Sequence, residues 1–340
     1  MNKKINLAVV GATGMVGRTF LKVLEERNFP YANLFLFASA KSVGEKLVCK
    51  GKEYLVEELT EAVFDRDIDV ALFSAGGEIS KKFAPIAASK GVVVVDNSSA
   101  WRMNGDVPLV VPEVNPDDLQ WHKGIIANPN CSTIQAVVAL KPLHDAYRIK
   151  RIVYSTYQAV SGTGVKGVMD LEEGLKGNDI MSAYPHPIAN NCLPHIDVFL
   201  DNGYTKEEMK MIEETRKILK DNSLKVTATT VRVPIRDSHS ESINVEFERP
   251  FEMEDLRKVL FSAPSVVVQD NVSSNVYPLA RNAAGTDLVY VGRLRRDFSI
   301  ENGLNLWVVA DNIRKGAATN AIQIAELLVP SMAKIHRMVV

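Results

Sequence analysis

The segment Gly11-Ala-Thr-Gly-Met-Val-Gly17 constrains this chain more than any other. It follows an apolar, β-rich run, INLAVV, and opens a stretch with helical spacing from Val16 to Glu26. A strand that turns on glycines into a helix lets backbone N–H groups approach a pyrophosphate, with the positive helix end beneath it. Gly11, Gly14 and Gly17, with Thr13, Met15 and Val16 among them, are therefore candidates to cradle a dinucleotide. Glycine-rich turns are common, so the strand–turn–helix context carries that reading more than the spacing does.

An NAD-binding turn of this type places Asp or Glu about 20 residues further on, to bind the ribose hydroxyls. Here that place holds Ser39, Lys41 and Ser42 and no acid. Hydroxyls and an ammonium suit a 2′-phosphate, which a carboxylate would repel, so NADP is expected as the cofactor. A solvated polar loop is the alternative. Ser74-Ala-Gly-Gly77 closes a later apolar strand, where small residues let a cofactor lie against backbone, and it adds Ser74 and Gly76 to the candidates.

The runs INLAVV, NLFLFAS, DVALFSA and VVVVD alternate with helical segments, a further apolar run covers Gly124–Ala127, and a helix is expected at Ser132–Tyr147. Near-continuous apolar strands between helices imply a parallel, doubly wound α/β sheet buried on both faces. From about Arg151 the runs lengthen and alternate, as in RIVYSTYQAV, KVTATTVRVPI and LNLWVVADN, which reads as an antiparallel or mixed sheet with one open face. Lys315–Lys334 is expected to be a long amphipathic helix returning to the first part. The expected domains are 1–128 plus 313–340, and 129–312. A chain of 340 residues is longer than one small core needs.

A net charge of −1 gives no global attraction to nucleic acid or anionic membranes. No apolar run approaches the ~20 residues that span a bilayer, and the N-terminal run lacks a signal-peptide cleavage site. Three cysteines form no dense, even framework, which suits a reducing cytoplasm.

Asn128-Pro-Asn-Cys-Ser-Thr133 puts Cys131 where an apolar strand becomes a helix, with Asn130 as the cap. The positive helix end favours a thiolate over the free thiol of pKa ~8.5; a buried structural cysteine is the alternative. Cys49 and Cys192 lack this setting and read as buried structural cysteines. A nucleophilic sulfur needs an imidazole brought to it from a distant part of the chain. His122 and His144 read as surface residues and His336 stands near the C-terminus. His186 and His195 flank Cys192, but with no second ligand pair no metal is expected. His239 sits in RVPIRDSHSES, a polar turn between two strands, so it is either the partner or a solvated turn histidine. Arg102, after a strand end, can fork onto a phosphate, and Arg232, leading towards His239, can take a carboxylate; solvation is the plain alternative for each.

In order, GATGMVG, SAGG, DNSSAWRM, VPEVN, ANPNCST, QAVSGTG, RVPIRDSHSES and WVVADNIRKGAA resemble the motif series of the bacterial aspartate-semialdehyde dehydrogenases. The resemblance covers almost the whole chain. It implies a cofactor domain from the N-terminal part plus the final helix, and a catalytic and dimerisation domain between them. It implies NADPH-dependent reduction of L-aspartyl-4-phosphate to the semialdehyde and phosphate, in lysine, methionine and threonine biosynthesis, by a homodimer or homotetramer. Cys131 matches the nucleophile, His239 the acid/base and Gln158 the residue orienting the substrate. Arg102 and Lys210 match the phosphate ligands, Glu207 the residue near the substrate amine and Arg232 the binder of its carboxylate. Ser161, Gly162 and Asn312 fall among the cofactor contacts, Asn312 at the nicotinamide carboxamide. For the Glu207–Lys210 segment a solvated helix face is the alternative. Thr163 and Ser238 depart from residues common in the family (Ala, and Gly or Ala). N-acetyl-γ-glutamyl-phosphate reductase and glyceraldehyde-phosphate dehydrogenase share the Cys, His and glycine turn; a non-catalytic NADP-binding regulator is a rival of another class.

Overall fold

The computed structural model describes residues 4–335, with side chains as far as Val329, so His336 lies outside the described residues. The chain divides into two compact units, Met1–Pro129 with Ala317–Val340, and Asn130–Gly316.

In the first unit, β1 (Ile5–Val10), β2 (Tyr31–Ala38), β3 (Lys46–Cys49), β4 (Lys52–Glu58), β5 (Val70–Phe73), β6 (Val93–Asp96) and β7 (Ile125–Ala127) form one sheet in the order β3-β4-β2-β1-β5-β6-β7. All neighbours run parallel except β3, which folds back on β4. The order diverges on either side of β1, and in such sheets ligands bind at the carboxyl ends beside the divergence. Helix α1 (Met15–Glu26) leaves β1 through the glycine turn, and α2 (Gly77–Ser89) leaves β5. The closing helix, Thr319–Ile335, packs Ala321, Ile322 and Ala325 into one core with Leu7, Val9, Leu72 and Val95. Arg27 clamps that helix to α1 by a forked pair on Glu326, at 2.8 and 2.6 Å.

The sequence reading passed over the β3–β4 hairpin. Its signal is Lys50-Gly51, both with positive φ (50° and 71°), the two-residue turn whose twist matches paired strands.

In the second unit, α3 (Cys131–Tyr147), α4 (Val165–Leu175), α5 (Lys206–Leu219), α6 (Met253–Phe261) and α7 (Ala280–Ala283) accompany a six-stranded sheet. Its strands are β8 (Ile149–Gln158), β9 (Lys225–Arg232), β10 (His239–Phe247), β11 (Val266–Val268), β12 (Val289–Asp297) and β13 (Gly303–Ala310), in the order β11-β12-β13-β10-β8-β9. Two pairings are parallel, β8–β9 and β11–β12, and the rest antiparallel, so the sheet is mixed. Along β10, His239, Glu241, Ile243, Val245 and Phe247 are buried while Ser242, Asn244 and Glu246 are half-buried, the period of a strand with one covered face. Ser240 and Trp307 face the other way, into an apolar hollow of about 540 Å³ that Tyr277 and Leu279 also line. Among the described residues no helix is long and apolar enough to cross a membrane.

Candidate active site

Cys131 is the first residue of α3, and Asn130 caps that helix. The Asn130 Oδ1 accepts from the Ser132 and Thr133 amides at 3.0 and 3.2 Å, and the Asn130 amide donates to Glu214 at 2.7 Å. These three amides are therefore committed within the protein. Gly316 passes so close that a side chain there would meet the Cys131 Cβ at 2.9 Å.

His239 is the first residue of β10 and is fully buried, so it is not a solvated turn histidine. Its Nε2 lies 3.2 Å from the Cys131 Sγ, and its Nδ1 accepts the Ala159 amide at 2.9 Å. Burial, joined by the Arg232 charge and opposed by Glu207, lowers its pKa to about 3, so the ring is neutral. The turn before it is braced from afar: Ser238, at φ 74°, donates its amide to Asn312 Oδ1 at 2.9 Å, and Asn312 also bonds Ser161. A positive φ at 238 explains why glycine is at home at that position.

The residues expected to hold the substrate gather in the same unit. Glu207, on α5, is buried and accepts from Asn130 at 2.9 Å, Gln158 at 3.1 Å and Lys210 at 3.1 Å. Burial alone would push its carboxyl up, but Lys210 and these bonds outweigh it and hold the pKa at about 2. The segment is thus not a solvated helix face. Gln158 ends β8 opposite Arg232 on β9, and its Oε1 accepts from Thr156 at 3.0 Å. Arg232 is buried, donates to the Ala159 carbonyl at 2.6 Å and stands over the Tyr184 ring, while its Nε has no partner among the described residues. Gly162 lies against this guanidinium and the imidazole; a Cβ there would sit 3.0 Å from Arg232 and 3.3 Å from His239. Thr163 accepts from the Tyr184 hydroxyl at 2.9 Å.

A second group assembles in the first unit. Gly11 has φ 85°, and a Cβ on it would meet the Ser74 carbonyl at 2.3 Å; one on Gly17 would meet the Gly11 carbonyl at 2.1 Å. The cap position of α1 is Gly14, which has no side chain to bond the first turn, so the amides of Met15, Val16 and Gly17 that a helix start leaves over can serve a ligand. A pyrophosphate fits that cradle. Thr13 and Ser42 share a hydrogen bond at 3.2 Å, bringing the glycine turn to the loop that holds Ser39 and Lys41, both exposed. Gly76, at φ 87°, opens α2 beside Ser74. Arg102 is buried, with Nε on the Asn128 carbonyl and Nη2 on the Asn97 carbonyl, each at 3.0 Å.

Two expectations need correction. His144 is buried, not a surface residue, because it turns back to accept the Ile149 amide on Nδ1 at the end of α3. Cys192 is exposed, not buried, since its loop lies outside the core and only its amide is tied, to Asn191; Cys49 is buried. Sequence reasoning also missed Asn130 as a ligand of Glu207, Ala159 as a partner of His239, and Glu241. Glu241 is fully buried beside His239 on the same strand face, and neither carboxyl oxygen has a partner among the described residues. Burial and Glu207 push its carboxyl well above the usual range. The signal for Glu241 was present, an acid in phase with buried positions of an alternating strand. Among the described residues no cluster of three His, Cys, Asp or Glu could hold a metal ion.

Residues 6–122 match the family described as semialdehyde dehydrogenase, NAD binding domain, and residues 140–315 match semialdehyde dehydrogenase, dimerisation domain. An aspartate-semialdehyde dehydrogenase of Aquifex aeolicus is 60% identical over 331 residues, 95% of this chain and 97% of that one. The crystal structure of aspartate semialdehyde dehydrogenase II complexed with ASA from Vibrio cholerae has a TM-score of 0.93 and 49% identity, covering 96% of this chain and 99% of that one. The Candida albicans enzyme with NADP has a TM-score of 0.75 and 27% identity, covering 96% and 98%. On these likenesses, spanning both units, the chain belongs to the aspartate-semialdehyde dehydrogenase family.

Proposed function

We propose that this chain reduces L-aspartyl-4-phosphate to L-aspartate 4-semialdehyde, with release of phosphate, through a thioester on Cys131 and with NADPH as its cofactor. The observation that carries this reading is the Cys131 sulfur at a helix start, 3.2 Å from the His239 Nε2. The sulfur attacks the acyl carbon, the C–O bond to phosphate breaks, and phosphate leaves with the electron pair. A thioester accepts hydride more readily than a carboxylate, which is the purpose of the covalent step. When bound, the reduced nicotinamide supplies that hydride. The tetrahedral oxyanion on the former acyl carbon then collapses, the C–S bond breaks, and the aldehyde departs from a Cys131 thiolate.

The remaining roles follow from charge. Arg232, buried with an Nε that no group among the described residues takes, receives the substrate carboxylate. Glu207, kept anionic by Lys210 and its amide donors, receives the ammonium in exchange for one of those donors. Gln158, bonded to Glu207, orients the acyl group beside it. Arg102 and Lys210 offset the charge on phosphate. Gly11–Gly17, Ser74 and Gly76 hold the dinucleotide phosphates, and Ser161, Gly162 and Asn312 the nicotinamide end. Ser39, Lys41 and Ser42 favour the 2′-phosphate. A second copy docks on the open face of the mixed sheet, where the Trp307 hollow leaves apolar surface. A reducing cytoplasm suits three cysteines that form no disulfide among the described residues.

The test is semialdehyde oxidation with NADP or NAD, with and without phosphate. Phosphate-dependent turnover favouring NADP is expected, falling roughly 10³-fold or more in Cys131→Ala while dinucleotide binding persists. Retained activity in that variant excludes the covalent scheme. Turnover of N-acetyl-γ-glutamyl phosphate in place of the aspartyl substrate overturns the substrate assignment. Ser39→Asp should reverse the cofactor preference if this loop reads the 2′-phosphate.

A further inference from the structure

We propose that Tyr184 is a positioning residue for the substrate carboxylate: its ring supports the Arg232 guanidinium, and Thr163 holds that ring in place through its hydroxyl. The proposal rests on the function given above and deepens its account of how Arg232 takes the carboxylate.

A buried arginine that must receive an anion needs support that leaves its N–H edge open. A carboxylate neighbour would neutralise it, and a set of carbonyl acceptors would use up its donors. An aromatic face attracts the cation through its quadrupole and takes no hydrogen bond. Tyr184 meets this need. It is buried, and the Arg232 guanidinium carbon stands 5.9 Å from its ring centre. The guanidinium spends Nη1 on the Ala159 carbonyl at 2.6 Å, while its buried Nε has no partner among the described residues. The bond and the ring hold the side chain between them, and donor capacity remains for a ligand.

The ring is itself fixed. Its hydroxyl donates to the Thr163 Oγ1 at 2.9 Å. It reaches that partner over Gly167 of α4, where a Cβ would come within 2.5 Å of the hydroxyl oxygen. Asp170, further along α4, accepts the Ser182 and Ala183 amides at 3.1 and 2.8 Å, and so ties down the backbone that enters Tyr184. Later in the same loop, Leu193 exchanges both backbone bonds with Arg232, at 2.9 and 2.8 Å. The segment between α4 and α5 thus grips the arginine by its backbone and by its side chain. Thr163 departs from the alanine common in the family, and alanine has no oxygen to accept the tyrosine proton. In this chain the departure locks the ring over the arginine.

Steady-state kinetics of the whole protein in the oxidative direction test this, with aspartate semialdehyde and with β-aminopropanal, the same aldehyde without its carboxylate. Tyr184→Leu removes the ring and should raise KM for the semialdehyde roughly fivefold or more, through loss of a desolvated cation–π contact. The kcat, the KM for phosphate and the constants for β-aminopropanal should stay within about twofold of wild type. Tyr184→Phe keeps the ring and should recover most of that loss. Thr163→Ala and Tyr184→Phe remove the two ends of one hydrogen bond, so the double variant should lose no more than the worse single one. An unchanged KM in Tyr184→Leu, an equal loss in Tyr184→Phe, or a parallel rise with β-aminopropanal overturns the proposal. NMR of protein labelled with ¹⁵N-arginine gives a reading that needs no turnover, with Arg232→Lys identifying the signal by difference. A ring over the guanidinium should displace the Arg232 Nε–H proton upfield, and the displacement should persist in Tyr184→Phe. A wild-type signal at the position of solvated arginines overturns the proposal, even if Tyr184→Leu does not fold. Absence of semialdehyde turnover in the wild type would sink the proposed function and leave the ring-current shift untouched.

Discussion

Asn130 joins Glu207 to the first turn of α3 with a single side chain. Its Nδ2 donates to the Glu207 Oε1 at 2.9 Å while its Oδ1 accepts the Ser132 and Thr133 amides. The residue before the nucleophile therefore sets the distance between the sulfur and the carboxylate proposed to hold the substrate amine. Neither end of that side chain is replaceable by a hydrophobic residue of similar size.

Asn130→Ala should lose a helix cap, about 1 kcal/mol, and a donor to a buried ionised carboxylate, about 1.5–3 kcal/mol. The two share one side chain and will not add fully. Asn130→Asp keeps the cap but sets a second carboxylate against Glu207. Urea unfolding should show both variants destabilised near neutral pH, with the aspartate variant recovering part of its loss as the pH is lowered.

His239 makes stability fall with acid. Its folded pKa, about 3, lies below the unfolded value of about 6.5. The unfolded chain binds the proton first, so the loss begins below about pH 6.5 and grows until about pH 3. Between about pH 6.5 and 5 this amounts to roughly 2 kcal/mol. Glu207, at about 2 when folded, adds its own loss only below the ordinary carboxylate range. Unfolding free energies measured near pH 7 and pH 5 should therefore differ by about 2 kcal/mol more in wild type than in His239→Gln; equal differences would contradict the assignment.

Glu241 has the opposite sign. A carboxyl whose folded pKa is raised is stabilising below its unfolded pKa and becomes a growing burden as the pH rises towards the folded value. Glu241→Gln keeps shape and neutrality, so its Tm should equal or exceed that of wild type at neutral pH, and the gap should widen at higher pH. A lower Tm at every pH would mean that the carboxylate is ionised and satisfied in the native protein.

Gly17→Ala puts a methyl group 2.1 Å from the Gly11 carbonyl, a backbone contact that cannot rotate away. The turn must open, at a cost of about 1–3 kcal/mol, and the amides of α1 move with it. NADPH titration followed by fluorescence should show weakened binding together with a lower Tm, with Cys131 alkylation little changed because the sulfur belongs to the other unit.

Much of the first unit was legible because its signals are local. Each parallel strand is a short apolar run bounded by Gly, Asp or Ser, and the glycine turn marks the passage from β1 to α1. The β3–β4 hairpin escaped because its alternation is interrupted by charged residues, leaving Lys50-Gly51 as its only strong mark. In the second unit the mixed character of the sheet followed from long alternating strands. The burial of His239 did not, because the residues around it in sequence are polar, and Glu241 on its own strand face is as buried as it is.

By itself the sequence determined the doubly wound parallel sheet, the place of the glycine cradle and the ordered motifs that identify the family, since periodicity and turn chemistry act between near neighbours. Only the tertiary structure decided what each reactive group meets. Asn130 reaches Glu207 across 77 residues, Ala159 reaches His239 across 80, and Ser161 reaches Asn312 across 151. Such pairs depend on sheet register and on the seat of α3 and α5 against the strands, which no local pattern encodes. They set the charge of Glu207, the neutrality of Glu241 and the face that the imidazole turns to the sulfur.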